Sequence, residues 1–596
     1  DALARLPKER TSVLIGMQTD AEVARHAVRW RGERRWVDAL PTALARDGLT
    51  GASVIGCMPN IVANRLSHQL DVRGPSYTVS SEERSGLTAL AIGARALRAG
   101  EIDAAVVGAV DLACEPVAER AAREVLPASH REPGDAAVLL VCKRHADAVR
   151  DGDPVLALLT DDLFDGAEPT LDLALTPDSE GLTPRFGHAH AASGLLHVAA
   201  AIEACARRAL PSAVGPMPWL PTAGTRRARV RVASIAGDST TYVEAPPTPP
   251  TDPIFLTPAP ELGLFGAVDV AALIASVESG RTLSAAEASA LPASALRLAV
   301  VAEDPREYAE RLARAAALLR ALPPAALASD ATAALDEGVH FGRGPLEGEL
   351  AFVFTGAAGA YPHMGRDLAL AFPELVDSFG ARAASVRDAA GWVYDDVPDR
   401  QTTPLEKLWG ASYLGQLHTE LTRGTFGLEP TAAIGYCSGE TNSLFALGAW
   451  TDLDGFRSDV AETRVYDRWL CGELACLRPA WNLDADATPE WATWRVRAPI
   501  GDVRAALEGE TRAHLVIINS PTDMVFSGEP EACARVGAKL GRRAVRTPGY
   551  DFVIASRGDF RMSPPRPDEE PDDPRERAER DERRRERALT SARTLA

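Results

Sequence analysis

Strand-like and helix-like runs alternate along the first 245 residues, and that alternation limits the chain more than any other feature. "TSVLIGM" (11–17), "AAVVGAV" (104–110) and "AAVLLVCK" (136–143) are apolar runs that read as strands. "GLTALAIGARALRAG" (86–100) and "ASGLLHVAAAIEACARRAL" (192–210) are Ala-rich and read as helices. The alternation predicts an α/β layered domain over 1–245. "EAPPTPPTDPIFLTPAPE" (244–261) follows, and its proline density marks a linker.

The rest of the chain divides in the same way. Residues 246–345 form a linker region, Ala- and Leu-rich, expected to be helices around one strand, "LRLAVVAED" (296–304). A second α/β block opens at "GELAFVFTGAAGAYPHMG" (348–365) and runs through "AHLVIINSPTDMVFSG" (513–528), giving a domain over 346–556. "SPPRPDEEPDDPRERAERDERRRERALTSARTLA" (563–596) has only Ala and Leu as apolar residues besides proline. Residues 557–596 are therefore expected to be a charged, disordered tail. With 596 residues the chain exceeds one compact core, so several domains are expected.

Composition narrows the function class. Hydrophobic residues make up 46% and charged residues 25%, ordinary for a globular enzyme. A net charge of −19 argues against a nucleic-acid surface. The eight cysteines are scattered without CxxC pairing, which fits reduced thiols in a cytoplasmic protein better than disulfides or a zinc site. No apolar stretch reaches membrane-spanning length, so no membrane partner is expected.

One short stretch carries the outline of a nucleophile turn. In "IGYCSGET" (434–441), Cys437 and Ser438 stand between Gly435 and Gly439, directly after the apolar run Ala432-Ala433-Ile434. Glycines on a sharp strand-to-helix turn allow close backbone packing, and the helix N-terminus aims N–H groups at a developing oxyanion. The plainer reading is a buried structural cysteine beside a Gly-rich turn.

Three stretches in order, "FVFTGAAGAYPHMGRDL", "AAIGYCSGETNSLFALGAW" and "IINSPTDMVFSGEPEAC", resemble the malonyl/acyl-CoA:acyl-carrier-protein transacylase domain of type I polyketide and fatty acid synthases. The tyrosine before the nucleophile is most similar to acyltransferases of polyunsaturated fatty acid synthases. The resemblance implies an α/β-hydrolase-like core with a small ferredoxin-like subdomain. It places the family serine on Cys437, with Ser438 as a neighbour on the turn, and implies an acyl-enzyme thioester rather than an oxyester. Gly356, Ala357 and Ala358 match the family's oxyanion-forming loop, and Asn519 matches a supporting asparagine. Arg464, with Arg468 as the alternative, is expected to hold a malonyl carboxylate. The family's downstream catalytic histidine is missing, and the match stops near Ala555, which raises the expectation of a frame-shifted or truncated end. His363 is the candidate substitute base, and His514 is expected to be structural.

The N-terminal block, through "MPNIVANRLSHQLDVRGPSYTVSSEERSGLTALAIGARALRAGEIDAAVVGAVDL", resembles a β-ketoacyl synthase of thiolase-like fold, here partial. The resemblance places Glu83 where the condensing cysteine belongs and His188, in "RFGHAHAASG", on the second family histidine. The stretch bearing the first histidine is absent. A carboxylate cannot exchange thioesters, so this domain is expected not to condense.

The resemblance therefore implies an acyltransferase subunit that passes malonyl or acyl groups from CoA to the phosphopantetheine arm of an acyl carrier protein. Other synthase subunits would be partners, with pairing through the ketosynthase-like domain into a homodimer or heterodimer. No metal or tightly bound cofactor is implied. The alternatives are a non-catalytic scaffold or synthase remnant and, third, a thioesterase.

Overall fold

In a computed structural model of the chain, residues 5–18, 50–113, 116–160, 168–212, 214–220, 225–248, 253–256, 258–323, 333–344, 348–395, 402–547 and 553 are described. They fall into two compact units: Asp1–Pro253 with Phe372–Ala381, and Ile254–Ala371 with Arg382–Ala596. The expected tail at 557–596, and the point near Ala555 where the acyltransferase pattern stops, lie outside the described residues.

The first unit is two sheets around a layer of helices. The first sheet runs β2-β1-β3-β4, from β1 (Thr11–Gly16), β2 (Ser76–Val79), β3 (Ala104–Asp111) and β4 (Ala136–Cys142). β1 lies parallel to β2 and β3, and β4 closes the edge antiparallel to β3. Between β2 and β3 comes helix α1 (Ser85–Arg98). The second sheet runs β5-β8-β7-β6, from β5 (Leu158–Thr160), β6 (Leu171–Leu175), β7 (Arg227–Ser234) and β8 (Gly237–Glu244), with helix α2 (His190–Arg207) between β6 and β7. Leu14, Leu87, Leu90, Val107, Leu195, Val198, Val230 and Val243 share one core, so both helices are packed between the sheets. This is the layered α/β arrangement expected from the alternating runs, and β1 is buried along its whole length.

Glycines let the two central helices meet closely. A Cβ at Gly86 would lie 2.7 Å from Leu195 Cβ, and one at Gly194 would lie 2.7 Å from the Glu83 carbonyl oxygen. Both distances are below van der Waals contact, so only glycine fits. The N-terminal turns of α1 and α2 are thereby brought together.

The second unit starts with a sheet that the sequence reading understates. Where one strand among helices was expected, four strands pair antiparallel in the order β9-β10-β12-β11: β9 (Glu261–Ala267), β10 (Leu296–Ala302), β11 (Ala333–Asp336) and β12 (Val339–Arg343). β9 has a weak local signal because "ELGLFGA" is rich in Gly and Ala. Its strand state comes from pairing with β10, and Phe265 is buried in the shared core.

Next come β13 (Ala351–Phe354) and β14 (Ala432–Gly435), a parallel two-stranded sheet, with helix α3 (Pro404–Thr419) between them in sequence. Helix α4 (Ser438–Ala446) follows β14 after a two-residue turn. The unit ends in a β-α-β-β-α-β segment of β15 (Ala492–Val496), α5 (Ile500–Leu507), β16 (Ala513–Ser520), β17 (Asp523–Gly528), α6 (Pro530–Leu540) and β18 (Ala544–Arg546). Its sheet order is β16-β17-β15-β18, all antiparallel. No helix among the described residues is long and apolar enough to cross a membrane.

Candidate functional site

Each unit contains one constellation worth chemistry. In the second unit, Cys437 occupies the tip of the β14–α4 turn with φ 56° and ψ −125°, a region that non-glycine residues rarely enter. The turn is tight because its glycines are packed backbone to backbone. A Cβ at Gly435 would lie 2.2 Å from Glu440 Cα, and one at Gly439 would lie 2.3 Å from the Phe354 carbonyl oxygen. Strand, bend and helix therefore lock together, and the thiol is left exposed. Cys437 is the one exposed cysteine among the described residues. Burial pushes the Cys142, Cys205, Cys471 and Cys533 thiols up to about 12.

The partners expected from sequence are placed unevenly. Gly356 is buried against the elbow, with a hypothetical Cβ 3.1 Å from Cys437 Cβ. The Ala357 N–H donates to Ser438 Oγ at 2.9 Å, so Ser438 faces the oxyanion loop and occupies a donor expected to serve the oxyanion. Arg464, at φ 51°, is ion-paired with Asp467 at 3.0 Å and Glu473 at 3.1 Å. Arg468 lies over the Trp469 ring. Asn519 sits in β16 and donates to Asp523 Oδ1 at 3.4 Å. No hydrogen bond joins His363 or His514 to Cys437 among the described residues; the backbone N–H of His363 donates to the Val393 carbonyl at 2.7 Å.

Tyr466 escapes sequence reasoning. Burial pushes its phenol up to about 12, and the charge of Cys437 and Cys471 adds to the shift. Tyr466 is thus a protonated hydroxyl within electrostatic reach of the elbow thiol. Its place on the irregular helical turn Val465–Leu470 has no signature in the sequence.

In the first unit, Glu83 sits on a 3₁₀ turn just before α1, and His188 and His190 sit where α2 begins. The close approach at Gly194 brings them together: His188 Nε2 is 3.4 Å and His190 Nδ1 3.8 Å from Glu83 Oε1. Motif matching places Glu83 and His188 in one site and misses His190, for which the His-Ala-His spacing is the available signal. It misses His130 too. The His130 ring stacks on His188, centroids 5.2 Å apart and 3° from parallel.

Burial raises the Glu83 pKa, but the His188 ring, a backbone N–H and the charges of His190 and His188 together outweigh it. The carboxyl is left below its ordinary value and is therefore ionised near neutrality. Asp111 accepts the Ala191 N–H at 3.3 Å, and burial raises its pKa against the opposing pull of His190. Position 83 carries a carboxylate and not a thiol.

Residues 3–146 match the family described as β-ketoacyl synthase, N-terminal domain. Similar proteins include erythronolide synthase EryA2 of Saccharopolyspora erythraea, 24% identical over 86% of this chain and 17% of that protein. A mycocerosic acid synthase-like polyketide synthase of Mycobacterium tuberculosis is 25% identical over 83% of this chain and 27% of its own length. The 5-methyl-1-naphthoate synthase of Streptomyces sahachiroi is 25% identical over 80% and 31%. The chain therefore spans less than a third of the length of these curated relatives. A solved ketosynthase, from module 6 of the bacillaene synthase of Bacillus subtilis 168, shares 16% identity over 53% of this chain and 69% of its own. Its TM-score of 0.30 is too low to bear on the fold. Residues 3–146 are thus similar to the β-ketoacyl synthase N-terminal domain, and most of the chain is similar to segments of much longer polyketide synthases.

Proposed function

We propose that the second unit is an acyltransferase that moves malonyl or other acyl groups from CoA to an acyl carrier protein, beside a ketosynthase-like domain that does not condense. The observation that carries this reading is the backbone of Cys437: an exposed thiol on a strained bend between a strand and the N-terminus of a nine-residue helix. Strain of this kind costs on the order of 1–3 kcal/mol and persists where the surroundings enforce it. The βαββαβ segment from β15 to β18, with order β16-β17-β15-β18, supports the ferredoxin-like subdomain expected of such a transferase.

In the first half-reaction the Cys437 thiolate attacks the thioester carbonyl. A new C–S bond forms, the tetrahedral intermediate collapses, and CoA leaves as a thiol after taking up a proton. The second half-reaction repeats this with the carrier's phosphopantetheine thiol as attacker and Cys437 as leaving group. Both steps exchange one thioester for another, so neither is steeply uphill.

A scaffold role is the second reading. It is favoured by the absence, among the described residues, of a hydrogen bond from any side chain to Cys437 Sγ, which leaves the thiol without a base. Incubation of the full chain with malonyl-CoA, followed by intact mass measurement, separates the two. The transferase reading expects one acyl adduct, removed by hydroxylamine and abolished in Cys437→Ala. A chain that stays unmodified across acyl-CoA lengths and pH would leave the scaffold.

A further inference from the structure

We propose that Glu83, His188 and His190 form a binding site for a divalent transition-metal ion of the Zn2+ class. Two imidazoles and one carboxylate are a donor set that such ions favour, and their ligand atoms all lie within 4.8 Å of one another. With bonds of about 2.0–2.1 Å, donors of a tetrahedral ion stand roughly 3.3 Å apart. His188 Nε2 is already 3.4 Å from Glu83 Oε1, and His190 Nδ1 is 3.8 Å away.

His188 supplies an independent reason to expect an ion. Its side chain is 2% exposed, yet neither ring nitrogen makes a well-directed hydrogen bond, the 3.4 Å contact to Glu83 included. Buried polar atoms left this way are costly and uncommon. Nearby histidines show the contrast. His197 donates from Nδ1 to the Ser193 carbonyl at 2.8 Å and accepts the Leu182 N–H on Nε2 at 3.1 Å, so its ring is fully used as structure. His130 reaches the Ser179 carbonyl at 3.3 Å. Of these three rings only the one facing Glu83 lacks a well-directed bond, and a metal ion would satisfy its Nε2.

The backbone is bent around the set. His190 has φ 40°, and Glu82, next to Glu83, has φ 49°. Both values are strained for non-glycine residues, and they fall on or beside two of the three donors. His190 is 27% exposed at its side chain, which gives an ion an entrance, while the other two donors are enclosed. Three protein donors leave a fourth position for water or a ligand oxygen. The site stands where a condensing thiol would otherwise lie, and it does not depend on acyl transfer at Cys437.

The test uses the full chain, stripped with a chelator and titrated with Zn2+ alone against a chromophoric competitor. One Zn2+ per chain is expected, and Co2+ substitution should give visible bands of a nitrogen–oxygen site without a thiolate charge-transfer band. His188→Gln should abolish tight binding. The more exposed His190→Gln should weaken it by at least the roughly 10–100-fold that loss of an outer partner costs at metal sites. Circular dichroism confirms that each variant is folded, and the Co2+ spectrum of the unaltered chain is informative without any variant. Failure to retain Zn2+, unchanged affinity in the folded His190→Gln chain, or a thiolate band from cysteine ligation would each overturn the proposal.

Discussion

A methyl group added at Gly86 would sit 2.7 Å from Leu195 Cβ and 2.8 Å from Ala109 Cβ, with no flexible chain end to move aside. Gly86→Ala is therefore expected to cost about 1–3 kcal/mol, read as a lowered urea midpoint with unchanged slope. A midpoint within error of the parent would mean that α1 and α2 are not closely locked. The same contact explains what is legible at this site beforehand. Glu83 and His188 can be paired by motif, since each holds a position in a known pattern. His190 meets Glu83 only through the helix approach that Gly86 and Gly194 permit, and His130 meets His188 only through the pairing of Pro133 with His188; neither distance is encoded locally. At the elbow, Cys437 and its flanking glycines are legible as a turn. Tyr466 is not, because an irregular helical turn brings it near.

At the scale of elements, an ion-pair group ties the first sheet at one end. Asp103, just before β3, accepts from Arg10, just before β1, at 2.7 Å and from Arg144, just after β4, at 2.8 Å. Hydrogen bonding from Arg10 first, then Arg144, holds the Asp103 pKa down from 3.8 to about 2. A depressed carboxyl stabilises the fold fully above its unfolded pKa and loses that contribution as pH falls through the folded one. Asp103→Asn should therefore be less stable than the parent above pH 3.8, with the difference closing as pH falls toward about 2. Acid unfolding at low salt measures it, and a gap that persists at the acid end would refute the linkage. Element types are well read where apolar runs are long, as in β1, β3, β4, α1 and α2. In the next block β10 is read correctly as a strand, while β9, β11 and β12 are missed because short strands with little local signal depend on their neighbours.

Across the whole molecule, three expected blocks resolve into two compact units, with most of the linker block, from Ile254 on, and most of the acyltransferase-like block in one of them. Residues Phe372–Ala381 belong with the first unit instead, where Asp377 is held by Arg226 and Arg208. Nothing in their sequence advertises this, since an ion pair across that separation leaves no periodic trace. The elbow in the second unit has a different kind of support. It is carried by two four-residue parallel strands on which the paired Val353 and Ile434 are exposed at 75% and 61%. So slender a ribbon is not self-supporting in water. The reactive bend is then steadied mainly by the helices packed around it, and its hinge strands should breathe far more often than the largely enclosed β3. Deuterium uptake at Val353 and Ile434 should outpace that at Val106 and Val107; matched uptake would mean the ribbon shares the rigidity of the larger sheet. A chain built this way holds the Cys437 sulfur on a spring rather than an anvil, and under the acyl-transfer reading the docking partner would also set the angle of attack.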